Sequence, residues 1–547
     1  MTDEFLYLRP DVQAEPLFDY WYAWSYLIPP ATAARYVTER HLKIMSSYIN
    51  APRVHASAVK NPKLMGGPFI DYDGGRVPEI RALRDLTMKR CAHLMELSSA
   101  ICALDEMLRA QGRGFSLQPL YEKVPDILKG YVELTYDLSN NPNFRIYEAL
   151  LYRSRFYDTS LQSLMLSVTD GDHRAFAFST PRLESDRAFH LPVPFDSERV
   201  DRLFEMRSSP STWGEIKEIL EPPASSEALV RSFFTTTPPA VHPRFQGSGF
   251  RWRYFGHACI LVETPRVNIL FDPGLSYEYE SPIARYTWAD LPESIDYVVF
   301  THNHQDHVLF ETLLQIRHKV MNVVIPHGSE GSLHSPSLRL ILNKIGFKNV
   351  IELSYMESIE WENGSITAAP FLGEHSDLDI PCKAVYRLLI GERSLMFAAD
   401  SCNIEPKLYE HVHREFGDAD SLFLGMECVG APLTWLYGPL LTKSLERSMD
   451  ESRRLNGSNF EQAISLVRQF NCKSAFVYAM GQEPWLSYVL SLKYTDQSVQ
   501  VLESNRLIQA CEEIGITCER LFGRKETRFE EDGTVEQAHI ANPVRFA

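Results

Sequence analysis

The sequence predicts an α/β protein: a layered α/β domain over residues 246–525, preceded by a mixed α/β domain over residues 1–245 and followed by a polar tail over residues 526–547. Three observations carry this reading. From about residue 250 onward, short β-branched apolar runs alternate with amphipathic stretches, as strands and helices do when they pack in layers. A proline- and glycine-rich seam, Thr235-Thr236-Thr237-Pro238-Pro239 through Gln246-Gly247-Ser248-Gly249, discourages both helix and ladder and marks the boundary. A dense group of ionisable residues sits where one buried run ends, at Thr301–His307.

In the first domain, Leu94, Leu97, Ile101, Leu104 and Leu108 recur three and four apart, which predicts a helix from about Glu79 to Ala110. A shorter helix is expected from Asp196 to Arg207. The aromatic stretch Asp19–Tyr26 is read first as core packing, with a dimer or partner surface as the alternative. No catalytic signature stands out in this half.

In the second domain, Cys259–Glu263 and Val267–Phe271 read as a hairpin around Thr264-Pro265-Arg266, and Ile295–Thr301 as a buried strand. A helix follows over Val308–Lys319, a strand over Val323–Ile325, and a helix over Ser335–Ile345. Asn363-Gly364 accepts positive φ and predicts a tight hairpin; Gly391-Glu392-Arg393 predicts another. Phe460–Phe470 is expected as helix, Ala475–Ala479 as strand, Val501–Ile514 as helix, and the polar stretch after Phe522 as a surface hairpin or tail.

The chain has 547 residues, 44% of them hydrophobic and 23% charged, which is ordinary for globular protein. Its net charge of −16 argues against a nucleic-acid partner. The N-terminus lacks the features of a signal peptide, and no apolar run is long enough to span a membrane. Nine cysteines without a C-x-x-C pair argue against a disulfide framework or cysteine zinc site, so a reducing cytoplasm is expected.

The string Thr301-His302-Asn303-His304-Gln305-Asp306-His307 follows a buried strand and precedes a helix. Strand ends feeding loops are where α/β folds place ligand groups. His302 and His304, two apart, can be aimed at one ion by a turn; Asp306 and His307 then suit a second ion close by. A single histidine on an apolar face is usually packing, but this density is hard to explain that way. Further along, Gly373-Glu374-His375 offers either Glu374 or His375 as another ligand, and Ala399-Asp400 offers a carboxylate at a strand end. With Glu374, the first ion would have two histidines and one carboxylate, a set typical of oxygen-activating non-haem iron; with His375, the site moves towards a two-zinc hydrolase. Glu427, after another apolar strand, is a candidate acid near the cluster, weighed equally against a surface carboxylate. His257 is read as structural or supporting, Leu433–Pro439 as an aromatic wall or core packing, and Gln482–Trp485 as pocket lining.

H-x-H-x-D-H, with Phe271-Asp272-Pro273-Gly274 before it and Phe397-Ala398-Ala399-Asp400 after it, resembles the metallo-β-lactamase superfamily over roughly residues 250 to 520. That resemblance implies a four-layer αβ/βα sandwich, Asp272 as orienter of a ligand and Asp400 as a bridge between two ions. No histidine stands at the last ligand station, where the chain reads Tyr478-Ala479-Met480-Gly481-Gln482. Together with Gly373-Glu374-His375, Tyr7-Leu8-Arg9-Pro10 and Trp21-Tyr22-Ala23-Trp24, the chain is similar to the diiron β-hydroxylases of chloramphenicol and related nonribosomal-peptide biosynthesis. This narrower resemblance implies that His302, His304, Asp306, His307, Glu374 and Asp400 bind two iron ions as an oxo-bridged diiron cluster, with dioxygen as co-substrate. It implies a monooxygenase that β-hydroxylates an amino acid, expected to be aromatic, carried as a thioester on a synthetase carrier domain. An external electron donor, and a dimer or carrier docking through the N-terminal domain, are expected with it.

Overall fold

The computed structural model describes residues 4–240, 242, 244–530 and 535–538. Two mixed sheets face each other in the C-terminal half. One has eight strands in the order Val350–Leu353, Val320–Pro326, Ile295–Val299, Asn268–Phe271, Cys259–Glu263, Phe250–Gly256, Lys525–Phe529, Val535–Ala538. The other has seven, in the order Ser358–Trp361, Gly364–Ala369, Val385–Ile390, Arg393–Phe397, Ser421–Gly425, Ser474–Tyr478, Thr517–Arg520. The three hairpins expected around Pro265, at Asn363-Gly364 and at Gly391–Arg393 all form, with Asn363 at φ 72°.

Alternation along each strand sends one set of side chains between the sheets. Trp252, Phe271, Phe397, Phe423 and Phe476 fill that layer, and the Phe271 and Phe397 rings stack with centroids 3.8 Å apart. Helices Pro406–Phe416, Phe460–Gln469 and Val499–Glu513 cover the outside of the seven-stranded sheet. Helices Phe310–Ile316 and Leu338–Lys344 cover the outside of the other. This is the four-layer αβ/βα sandwich.

The N-terminal half joins a four-stranded antiparallel sheet, ordered Trp21–Tyr22, Val12–Phe18, Gln162–Val168, Ala188–Pro192, to a helical group. It packs on the outer helix layer of the sandwich, and a single apolar core runs through both halves. Trp21, Tyr22, Trp24 and Tyr26 are all buried in this half, so the aromatic stretch is core. A buried ionic knot ties the halves together: Arg174 donates to Glu15 at 2.6 Å and to Glu311 at 2.8 Å, and Arg182 donates to Glu15 at 2.8 Å.

Two expectations are corrected. The helix expected over Glu79–Ala110 is two helices, Val77–Arg90 and Ala92–Gln111, broken at Cys91. The break lets each half face a different partner, Leu42–Asn50 for the first and Pro30–Tyr36 for the second. The tail expected over 526–547 begins inside a strand. Lys525–Phe529 pairs with Phe250–Gly256, and buried Phe529 stacks on Phe250 at 4.6 Å, so apolar burial keeps this segment in the sheet. Residues 539–547 of that tail lie outside the described residues.

Candidate metal centre

Chain segments leaving neighbouring strand ends converge at one edge of the sandwich. Thr301–His307 follows Ile295–Val299, Asp272 follows Asn268–Phe271, Asp400 follows Arg393–Phe397, and Glu427 follows Ser421–Gly425. His257, Asp272, Glu374, Ala399 and Ala479 all adopt left-handed φ, between 38° and 66°, without being glycine. Backbone strain of this kind persists where surrounding structure over-determines it, and it clusters at functional sites.

Three overlapping groups of donor atoms result: His302, His304 and Glu374; His302, His307 and Asp400; His257, Asp306 and His307. Glu374 Oε1 lies 2.6 Å from His304 Nδ1, and its Oε2 lies 3.5 Å from His302 Nε2. Asp400 Oδ2 lies 2.9 Å from His307 Nε2 and 3.9 Å from His302 Nε2, between the two histidine groups. Asp306 Oδ2 is 3.9 Å from His307 Nε2. All six residues singled out in the sequence as ligands are thus brought together.

The choice between Glu374 and His375 is made by a loop. Alternation along a strand does not apply, because residues 370–378 are irregular and Glu374, Ser376 and Asp377 all have positive φ. The Glu374 carboxylate turns into the cluster. The His375 ring packs 4.5 Å from that of His304, with its Nδ1 turned back to the Gly373 carbonyl at 3.4 Å.

Around these groups stands a supporting layer. His307 Nδ1 donates to Asp272 Oδ2 at 2.9 Å; Asp272 also accepts from the Thr301 amide at 2.8 Å and hydroxyl at 2.6 Å. This is the orienting role expected of Asp272. His257 does more than sequence distance suggested. The Gly481 amide donates to its Nδ1 at 3.2 Å, which leaves the ring proton on Nε2, 3.0 Å from Asp306 Oδ2. His257 therefore donates to Asp306 and offers no lone pair there. It comes from the sharp turn between two antiparallel strands, and nothing in its local sequence announced the contact. Glu483 is committed to the Tyr254 hydroxyl, and Trp485 packs beside Gly256.

The electrostatics fit a cation pair. Burial, with Asp400 and Asp306 nearby, raises the Glu374 pKa well above the carboxylate range. Burial, with Asp400, Asp306 and Glu374 nearby, does so for half-buried Glu427. Burial, with His307 and His304, drives His302 well below the usual imidazole value. Although burial opposes it, Asp272, Asp306 and Asp400 raise His307 well above that value. Buried His302 Nε2, Glu374 Oε2 and Asp400 Oδ1 have no hydrogen-bond partner. Desolvated carboxylates and lone pairs converging without partners are costly; bound cations remove the cost by inverting the local charge. Two histidines and a carboxylate in one group, with three of the six residues being acids, suit iron.

The comparisons agree with the geometry. The family described as diiron non-heme beta-hydroxylase N-terminal domain matches residues 7–238, and a beta-lactamase superfamily domain matches residues 267–435. The 4-amino-L-phenylalanyl-(CmlP-peptidyl-carrier-protein) 3-hydroxylase of Streptomyces venezuelae is 39% identical over 528 residues, 95% of this chain and 99% of that protein. The crystal structure of CmlA, a diiron beta-hydroxylase from Streptomyces venezuelae, superposes with a TM-score of 0.91 at 38% identity, covering 96% of this chain and 100% of that one. A mutant of the CmlA beta-hydroxylase superposes with a TM-score of 0.88 at 38% identity over the same shares. With a supporting layer, an acid-rich donor set and similarity along nearly its whole length, this chain belongs to the diiron non-haem β-hydroxylase family.

Proposed function

We propose that this enzyme hydroxylates the β-carbon of an amino acid, aromatic in kind, held as a thioester on the carrier domain of a nonribosomal peptide synthetase. The observation that carries the reading is Glu374: a carboxylate, not a third histidine, faces His302 and His304. The relative from Streptomyces venezuelae acts on an aminoacyl carrier protein, which supports the same substrate class here.

In this reading His302, His304 and Glu374 would hold one iron and Asp306 and His307 the other, with Asp400 placed between the two histidine groups as a further ligand. The iron pair, when bound, supplies the activation of dioxygen needed to insert one oxygen atom into the β C–H bond. The protein supplies position and exclusion. Asp272 and His257 fix His307 and Asp306. The surrounding burial keeps bulk water from the centre: none of the six ligands is more than 8% exposed. Glu427, whose carboxyl is raised above the ordinary range by burial and by Asp400, Asp306 and Glu374, is the acid proposed for the site. An external electron donor completes the reaction. The N-terminal half, up to about residue 245, takes the docking or dimerisation role, and nine free thiols are consistent with the cytoplasm. Among the described residues no helix is long and apolar enough to cross a membrane.

The test compares Glu374→Ala with His375→Ala after expression in iron-replete medium. Glu374→Ala should lose iron and turnover of carrier-bound substrate, while His375→Ala keeps about two irons per chain. If His375→Ala empties the site and Glu374→Ala does not, the ligand set is wrong and the two-zinc hydrolase reading returns.

A further inference from the structure

His304 is bonded on both sides of its ring. Nδ1 faces Glu374 Oε1 at 2.6 Å, and Nε2 faces the Tyr437 hydroxyl at 2.9 Å. A neutral imidazole carries one proton, so the nitrogen that gives its lone pair to a cation is the one without it. With Nδ1 turned to the donor group formed with His302 and Glu374, the proton resides on Nε2 and is donated to Tyr437.

Tyr437 itself is buried and held from several directions. It ends the short helix Leu433–Tyr437, whose start is pinned by Asp450, accepting from the Thr434 amide at 2.8 Å and hydroxyl at 2.6 Å. The N-terminal half then grips the backbone on either side. Arg40 donates to the Trp435 carbonyl at 2.7 Å and the Tyr36 hydroxyl to the Leu436 carbonyl. Arg35 donates to the carbonyls of Pro439 at 3.1 Å and Leu441 at 3.0 Å. Four successive carbonyl contacts from one face of the N-terminal half leave residues 435–441 little freedom to move away from His304.

We propose that Tyr437 is a positioning residue of the metal centre, fixing Nδ1 of His304 as the ligand atom, and that the N-terminal half sets the metal site by clamping the segment that carries Tyr437. The inference rests on His304 being a metal ligand, as in the proposed function. It gives the N-terminal half a task at the metal, 35 to 40 residues into a segment that the lactamase-type fold alone does not provide.

Cobalt(II) is the probe, because it reports ligation by its visible spectrum and does not depend on substrate or electron donor. Wild type, Tyr437→Phe and Arg40→Met are titrated with cobalt(II), with thermal melting to confirm folding. Loss of a hydrogen-bond partner behind a ligating histidine typically costs about 10- to 100-fold in metal affinity or activity. Tyr437→Phe should therefore bind one cobalt at least about 10-fold more weakly, with altered bands for that ion and the other unchanged. Arg40→Met should shift the same ion in the same sense by a smaller factor. Wild-type affinity and bands in folded Tyr437→Phe would overturn the inference while leaving the metal site intact. A shift in Tyr437→Phe with none in Arg40→Met would overturn the clamp. Failure of wild type to bind cobalt would overturn the ligand assignment, and this inference with it.

Discussion

Gly425 gives the sharpest test of how the metal site is built. It closes the strand Ser421–Gly425, its amide donates to the Ala399 carbonyl at 2.8 Å, and it pairs with Tyr478 across the ladder. A Cβ there would lie 2.2 Å from Asp400 Oδ1 and 3.0 Å from the Ala399 oxygen. Ordinary contact begins near 3.4 Å, so Gly425→Ala must move the Asp400 carboxylate by about 1.2 Å. The strand cannot yield instead, because its bonds on both sides fix it in the sheet. Asp400 stands between the two histidine groups, and an error of roughly 1 Å in a reacting assembly costs on the order of 100-fold in rate. Gly425→Ala should lose at least one iron per chain, or retain both with turnover of carrier-bound substrate reduced about 100-fold. Its melting temperature should change little, since the methyl displaces a carboxylate at the rim of the sheet rather than a core side chain. Iron content and optical spectrum before and after reduction, alongside single-turnover hydroxylation, make the assay. Two tightly held irons and turnover within about threefold of wild type would refute the cradle argument.

Two further predictions concern buried charge. Glu15 is buried, which alone would raise its pKa, yet Arg182 and Arg174 lower it to about 2 from 4.5. A depressed carboxylate contributes stability that is present above the unfolded value and lost as pH falls, here from about 4.5 towards 2. Arg182→Met leaves Glu15 sharing Arg174 with Glu311, so urea unfolding at neutral pH should show a loss of about 3–5 kcal/mol, and the acid limb should flatten; an unchanged acid limb would remove the pairing from the stability account. Glu148 shows the opposite sign: burial raises it to about 7, against the Gly331 and Ser337 amides that donate to it. Its ionisation therefore costs stability as pH rises from about 4.5 to 7. Glu148→Gln should melt higher than wild type near pH 8 but not near pH 5, and an equal gap at both would sink the reasoning.

Much of the site was legible before any fold was drawn. His302, His304, Asp306 and His307 sit within six positions, and their spacing alone demands a common focus. Asp272 and Asp400 follow apolar runs that had to be strands, so their place at the sheet edge followed from strand ends. The helix periodicity over Leu94–Leu108 held, because tertiary packing uses the same face that the spacing marks. The break at Cys91 was not legible, since the two halves are helical by local preference and separate only because they pack on different partners.

By itself, the sequence determined the layered α/β class and the dense grouping of ionisable residues in the central string, because these depend on neighbours a few residues apart. Only the tertiary structure decided which of two adjacent residues groups its donor atom with His302 and His304. Positive φ at Glu374 and Ser376 turns a loop whose course no alternation rule predicts. It also brought His257 onto Asp306 across 49 positions, and Tyr437 onto His304 across 133. A hydrogen bond needs its partners within about 3 Å but places no limit on their separation along the chain. The histidine-rich string could be read from local spacing; the groups packed around it were chosen by the packing of two halves that share one core.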